Sequence, residues 1–395
     1  MARRAKTLSV GEDNTRHLSM GVLALCFPVA EVQRIVDECK RASRRIRDLP
    51  AAVVVYYVMA LSLFPSVGYQ SVLQWLLCGL QWLNAGQFRI SGKGSLSRAR
   101  QRLGEEPMRR IFERMAPPLC NPGLPGTCWK GLHLVAVDGS TLALQDTASN
   151  DAAFGRSSNQ NGKAAYPLAR FVILAEAGTH LVFAANLGRY KQSEIKLAGD
   201  VLKCLRSGML CLADRLFPGY ELWKKAAASG AHLLWRAKAS LPLKRVRELA
   251  DGSWLARWLP ADKRKRDPEG LVVRVVEYRL GGGDGEIYRL LTTLLDPEFA
   301  EARELAAMYP QRWEVELTIK EGKNVMRDGR ATLRSKVPAL VRQEFWGALL
   351  AHHLVRRMMA LAALRRGVDP DHLSFSRSIE IIKSTQTGPV LSFPP

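Results

Sequence analysis

The sequence predicts an α/β fold with a helical segment before it and another after it, on three observations. Apolar residues recur at helical spacing through residues 27–116. From residue 131 the pattern changes to apolar strands alternating with amphipathic helices. Near 338–366 a last helical region is rich in Ala, Leu, Met and Arg.

The elements follow in chain order. Residues 1–26 form a basic arm, opening MARRAKTLSVGEDNTRHL, without the apolar core of a signal peptide. FPVAEVQRIVDECKRASRRIRDL places apolar residues on one helix face and basic ones on the other, and Pro50 suits the start of the next helix. No charge occurs between Leu49 and Phe88, yet the apolar run that starts at Ala51 stops at Pro65. That is short of the roughly 20 residues a membrane span needs, so helices packed on one another are expected. In SGKGSLSRARQRLGEEPMRRIFERM, Lys93, Arg98, Arg100 and Arg102 crowd a Ser-rich helix start, a place where backbone N–H groups and the helix dipole can hold phosphate. The Pro/Gly segment at 117–128 reads as a linker.

Beyond it, LHLVAVDGSTL is an apolar strand running into a polar turn, and PLARFVILAEAGTHLVFAANLG reads as two strands joined at Ala177–Thr179. SEIKLAGDVLKCL is an amphipathic helix, and GMLCLADRLF is a second apolar strand ending in an acid. Between about 240 and 296 short strand-like pieces surround the loop LPADKRKRDPEG, which reads as a β-rich insertion. A long helix through residue 326 follows. The resulting division is 129–337 for the α/β domain and 338–395 for a helical C-terminal region and tail.

Composition narrows the function. The 395 residues carry a formal charge of +21 and a pI near 10.0, an excess that calls for a polyanionic partner: nucleic acid first, acidic lipid second. Seven scattered cysteines contain no CxxC pair and no zinc-type spacing with histidine, which argues against a disulfide framework or a structural zinc and fits a reducing cytoplasm.

The chemistry rests on three carboxylates. Asp138 directly follows Leu134-Val135-Ala136-Val137, and Asp214 directly follows Leu210-Cys211-Leu212-Ala213. Strand ends open onto the functional edge of an α/β sheet, so neighbouring strands would bring the two aspartates together, although a lone acid there is commonly a turn former or cap. Asp146 and Asp151 lie in a polar loop with no strand to aim them. In YPQRWEVELTIKEGKNVM, Tyr309, Arg312, Glu316 and Lys323 fall within about 60° on a helix wheel, with Lys320 and Arg327 on the same stripe. Met308, Val315, Ile319 and Met326 form an apolar stripe roughly 80° away. Alone, the polar stripe reads as a solvated face. Beside two aspartates it makes chemical sense, because three carboxylates can hold two divalent ions for phosphoryl transfer while the cations hold phosphates.

Tyr309-x2-Arg312-x3-Glu316-x6-Lys323 resembles the YREK signature of the DDE transposases of the insertion-sequence-four group, at the signature's own spacing. AVDGSTL and LADRLF resemble the surroundings of that group's catalytic aspartates, and the similarity covers roughly residues 20–365. The resemblance implies a ribonuclease H-like catalytic domain with a β-rich insertion, preceded by a helical DNA-binding domain at 27–116 and followed by a helical C-terminal region. It implies Asp138, Asp214 and Glu316 as catalytic metal ligands for two Mg²⁺ ions, or Mn²⁺, since hard oxygen ligands accept both. Tyr309, Arg312, Lys320 and Lys323 would hold the backbone of the transposon end.

The partners it implies are double-stranded DNA, as element ends and as target, and a second copy of the chain in a homodimer that brings two ends together. No membrane partner is expected, and the protein is expected in the bacterial cytoplasm with the nucleoid. Excision in that group passes through a DNA hairpin, in which an aromatic of the insertion can stack on a flipped base; Trp254, Trp258, Tyr278 and Tyr288 are the candidates here. Arg44, Arg45, Lys93, Arg98 and Arg100 are candidates for DNA contacts in the N-terminal domain, with a solvated basic face as the alternative. Three other readings stay open: a nuclease without strand transfer, a non-catalytic DNA-binding descendant of a transposase, and a membrane-associated protein built around residues 49–88.

Overall fold

The computed structural model describes residues 20–43, 49–82, 92–159, 162–260, 267, 269–279, 286–325 and 332–384. The chain forms two compact units. Met1–Pro117, Leu142–Ala169 and Lys320–Pro395 make the first; Pro118–Thr141 and Arg170–Ile319 make the second.

The first unit is mainly helical, and its centre is Ala51–Leu63, AAVVVYYVMALSL, buried at every position but Ser62. A helix without a polar stripe cannot face water on any side, so neighbours must enclose it. Val29–Glu38, Tyr69–Trp82 and Lys93–Leu103 do so in part, and Pro338–Arg366 contributes the most. This is where the uncharged stretch goes: among the described residues, no helix is long and apolar enough to cross a membrane. A Cβ at Gly347 would stand 2.7 Å from Val58 Cγ1 and 3.0 Å from Val58 O, so the two helix backbones meet at glycine. Gly347→Val is therefore expected to destabilise the protein by about 1–3 kcal/mol through overpacking. Thermal unfolding checks this; an unchanged Tm would mean that the helices part without strain.

This grouping differs from the expected division of the chain. The sequence pattern separates 27–116 from 338–395, whereas both belong to one unit, because Ala51–Leu63 needs Pro338–Arg366 to bury its remaining surface. Residues 142–169, expected within the α/β domain, also belong here. Thr147 caps Ala148–Phe154 and donates to Lys336 O, and Asn150 Nδ2 donates to Ser335 O.

The second unit is built on a mixed, mostly antiparallel sheet. Its strand order is Val182–Arg189, Leu168–Glu176, Leu132–Ala143, Met209–Ala213, His232–Ala237, Ile287–Thr292, Leu271–Arg279, Trp254–Trp258 and Lys244–Glu248. Leu132–Ala143, Met209–Ala213 and His232–Ala237 run parallel, with Val137 opposite Ala213 and Ala213 opposite Trp235. Parallel neighbours need crossovers, and the helices Glu194–Val201 and Tyr220–Ala227 lie in them. Leu197, Ala198, Trp223 and Ala226 carry those helices into the core beside Val135, Cys211 and Trp235.

The expected strands joined at Ala177–Thr179 are present as Leu168–Glu176 and Val182–Arg189. The strands described within 240–296 extend the main sheet: Ile287–Thr292 pairs antiparallel with His232–Ala237, and three more strands follow in antiparallel order.

The helix expected to run unbroken through residue 326 is interrupted. Ala302–Met308 is followed by a 3₁₀ turn at Tyr309–Arg312, then by Trp313–Lys320 and a π turn at Glu321–Val325. Pro310 accounts for the first break, since it has no N–H to give to the α-helical ladder. The straight helix wheel is thus interrupted between Tyr309 and Glu316.

Candidate active site

Val137 and Ala213 are paired residues on two adjacent parallel strands, and Asp138 and Asp214 come directly after them. Neighbouring strands lie about 4.8 Å apart, so the register sets the two carboxylates side by side where the parallel pairing ends. Asp214 follows the end of its strand as expected, but Leu132–Ala143 runs on past Asp138, which lies inside the strand and not before a turn. Asp138 Oδ1 accepts a hydrogen bond from Gly139 N at 2.7 Å, and Asp214 Oδ1 accepts one from Leu216 N at 2.9 Å. Burial lifts the Asp138 carboxyl to about 7 against the Gly139 hydrogen bond; the charges of Asp214 and Glu316 add to the rise and Arg312 opposes it. One electrostatic neighbourhood therefore holds all three expected acids and the expected arginine.

The 3₁₀ turn aims two side chains inward. Tyr309 is buried, and its hydroxyl donates to Ala213 O at 3.2 Å, so its single O–H donor secures the residue just before Asp214. Arg312 is buried as well; its Nη1 donates to Glu316 Oε1 at 2.7 Å, and its Nε–H has no partner among the described residues. Glu316 keeps 37% of its side chain exposed, in line with a carboxylate open to a substrate. On the apolar stripe Met308 and Val315 are buried and Ile319 is half-buried, while Met326 and Arg327 lie outside the described residues. Lys320 is exposed and Lys323 half-buried, the latter in the π turn. Glu314 turns away from the acids and packs structurally, with its Oε2 lying 2.5 Å from Nε2 of the buried His180.

Sequence pattern alone misses Glu194. It opens the helix Glu194–Val201 behind the N-cap Ser193, and its carboxylate lies against Gly139, where a Cβ would come within 2.7 Å of Glu194 Cγ. Burial raises the Glu194 carboxyl, the Arg170 guanidinium opposes that, and the Asp214 charge adds to it. No local signal marks this residue, because an acid in a first helical turn is ordinary dipole complement.

Among the candidates for DNA contacts, Lys93 and Arg98 are exposed on the helix Lys93–Leu103, and Arg44 and Arg45 lie outside the described residues. Arg100 is a correction. It is buried, and its guanidinium donates to Gln343 Oε1 at 2.9 Å, Ser335 Oγ at 3.1 Å and Leu340 O at 3.2 Å, so it is a packing residue of the first unit. Trp254 and Trp258 are buried in the core of the second unit, whereas Tyr278 and Tyr288 are half-buried.

The donor set fits a divalent cation. Asp138, Asp214 and Glu316 offer hard carboxylate oxygens, and the Asp138 carboxyl, raised by burial first and by the charges of Asp214 and Glu316 after it, is one whose charged form a bound cation would favour.

Comparison with known proteins identifies the family. Residues 17–113 match the family described as insertion element 4 transposase N-terminal, and residues 129–354 match the transposase DDE domain. The transposase InsG for insertion sequence element IS4 of Escherichia coli (strain K12) is 32% identical over 359 residues, which is 89% of this chain and 79% of that protein. The putative transposase InsZ of the same strain is 25% identical over 210 residues, 53% of this chain and 68% of that one. Among solved structures, a piggyBac transposase synaptic complex with hairpin DNA overlays at a TM-score of 0.45 and 13% identity, covering 94% of this chain and 80% of that one, too loosely to carry an argument. The family matches and the extent of the likeness to InsG establish that the chain belongs to the insertion element 4 family of DDE transposases, divalent-metal-dependent enzymes that cut DNA and transfer strands.

Proposed function

We propose that this chain binds the terminal inverted repeats of an insertion sequence and cuts and rejoins them through Asp138, Asp214 and Glu316, on a ribonuclease H-like sheet. The observation that carries the reading is the shared neighbourhood of these three acids beside Arg312 at the edge of two parallel strands. Asp138, Asp214 and Glu316 would hold two Mg²⁺ or Mn²⁺ ions, which supply the positive charge that activates an attacking oxygen and stabilises a leaving one. The chain's own contribution is positioning. Tyr309 fixes the strand end that carries Asp214, and Arg312 orients Glu316 while keeping an N–H donor for a phosphate oxygen. Lys320, Lys323, Lys93 and Arg98 add cations for the DNA backbone. Two copies of the chain, each holding one end, make the assembly.

The test is excision in cells from a plasmid carrying this reading frame in its native flanking DNA, wild type against Asp138→Ala. Precise loss of the segment with wild type alone supports the proposal. No excision with either, despite soluble protein and intact repeats, favours a DNA-binding protein without catalysis.

The geometry also favours one pair of aromatics for a hairpin step. Tyr278 and Tyr288 face each other across paired strands with ring centroids 5.5 Å apart, and the Arg236 guanidinium lies 3.8 Å over Tyr288. Burial above all raises the Tyr309 phenol, and Arg236 and Tyr278 are near enough to act on it too. An aromatic pair beside the strand end of Asp214 suits a flipped base, whereas Trp254 and Trp258 are enclosed. Tyr288→Ala is expected to lower hairpin yield about tenfold while the first nick persists, in line with the energy of one base stack. Denaturing gels of end-labelled DNA separate the two products; equal loss of both would place Tyr288 in the fold instead.

A further inference from the structure

We propose that a cleft beside Asp214 is a nucleotide subsite, holding the DNA residue that adjoins the reacting phosphate on the side away from the element's end. This rests on the catalytic reading above. Arg170, Tyr190, Lys191, Glu194, Ile195 and Leu216 line the cleft, which has a volume of about 380 Å³ and opens to solvent. Two of its lining residues tie it to the aspartates. Leu216 N donates to Asp214 Oδ1, and Glu194 lies against Gly139, the residue after Asp138.

The lining has the chemistry of a base and its phosphate. Ile195 and Leu216 are exposed at 40% and 47% and give the cleft an apolar wall. Tyr190 adds an aromatic face, with the Arg170 guanidinium 5.5 Å from its ring centroid. Arg170 Nε also donates to Tyr190 O at 3.2 Å, which fixes the turn that presents the ring. Apolar and aromatic walls accept the face of any base, and a cation accepts the phosphate, the combination by which single strands are held without sequence readout. Lys191 is that cation at the rim.

The one acid in the cleft would repel a phosphate, but Arg170 Nη1 donates to Glu194 Oε2 at 2.8 Å and offsets its charge. The same nucleotide chemistry has two sources in transposition: flanking DNA left behind at cleavage, and target DNA at joining.

The test uses the full chain in EDTA with fluorescent duplexes, either carrying flank beyond the cut or ending at the cut. Tyr190→Ala and Leu216→Asp are expected to weaken binding of the flanked duplex about tenfold and to leave the pre-cut duplex unaffected. Tyr190→Phe should bind as wild type. A 5-iodouracil at the first flanking position should cross-link to Tyr190; the same label in a target duplex, added to protein on pre-cut ends, separates the target source from the flank. Equal weakening for both duplexes, no weakening, or a cross-link mapping only outside the cleft overturns the proposal. Nicking of the flanked duplex by wild type after adding Mg²⁺ is scored apart, so an absence of nicking sinks the catalytic reading without deciding the cleft.

Discussion

Glu316→Gln is expected to lower DNA cleavage by about a thousandfold or more, roughly 4 kcal/mol of transition-state stabilisation, with end binding within about twofold of wild type. The substitution keeps the shape and keeps an oxygen for the Arg312 Nη1 hydrogen bond that measures 2.7 Å in the native protein. What it removes is one of the three carboxyl groups proposed to hold the metal, and so, on that reading, a hard ligand for a divalent ion. Glu314→Gln is the control. Glu314 is two residues away but turns to His180, so its loss should lower the Tm and spare the cleavage rate of folded protein. Single-turnover cleavage of labelled ends, with binding measured on the same protein, checks both. Comparable cleavage by both variants, or comparable loss in both, would remove Glu316 from the catalytic set.

The three acids proposed as catalytic are legible in the sequence because their signals are local. Asp138 and Asp214 each end a run of four apolar residues, and a parallel pairing that aligns Val137 with Ala213 turns that shared pattern into adjacency. Glu316 is legible through its spacing from Tyr309, Arg312 and Lys323. That spacing holds even though a straight helix wheel does not, since Pro310 imposes a 3₁₀ turn between Tyr309 and Glu316.

What the sequence hides has a common cause, which is that burial by distant parts of the chain leaves no mark nearby. Arg100 looks like one more cation in a basic helix until Gln343, Ser335 and Leu340, more than 230 positions on, close around it. The joining of 27–116 with the C-terminal helix belongs to the same class. The all-apolar Ala51–Leu63 announces that something must cover it, but not that Pro338–Arg366 does. Glu194 is hidden differently: its helix is plain from the amphipathic pattern, and only the glycine after Asp138 shows that the helix start reaches the site.

Asp138→Asn is expected to stabilise the metal-free protein above neutral pH while destroying its activity. Burial is the main reason that the Asp138 carboxyl titrates at about 7 in the folded chain, against an ordinary value of 3.8. A raised value in the folded state means that the fold binds the proton more tightly than the unfolded chain does. Stability from this group is therefore complete below pH 3.8, falls as pH rises towards 7, and stays low above it. The difference is of order 4 kcal/mol as an upper figure, at about 1.4 kcal/mol for each tenfold change in proton affinity.

Asparagine cannot ionise, so the variant should lose this slope and unfold at a higher temperature than wild type at pH 8 in EDTA, with little difference near pH 4. Mg²⁺ should reverse the order. An ion bound to the folded state stabilises it by mass action, and it needs the charged carboxylate that the variant lacks. Thermal unfolding at the two pH values, with EDTA and then with Mg²⁺, tests each step. Equal pH slopes in the two proteins would show that Asp138 is solvated like an ordinary surface acid. A Mg²⁺ effect of the same size in both would place the ion away from Asp138. The inversion, if seen, would mean that an acid whose charge destabilises the metal-free protein is one that the bound cation needs, so that this position favours binding over stability.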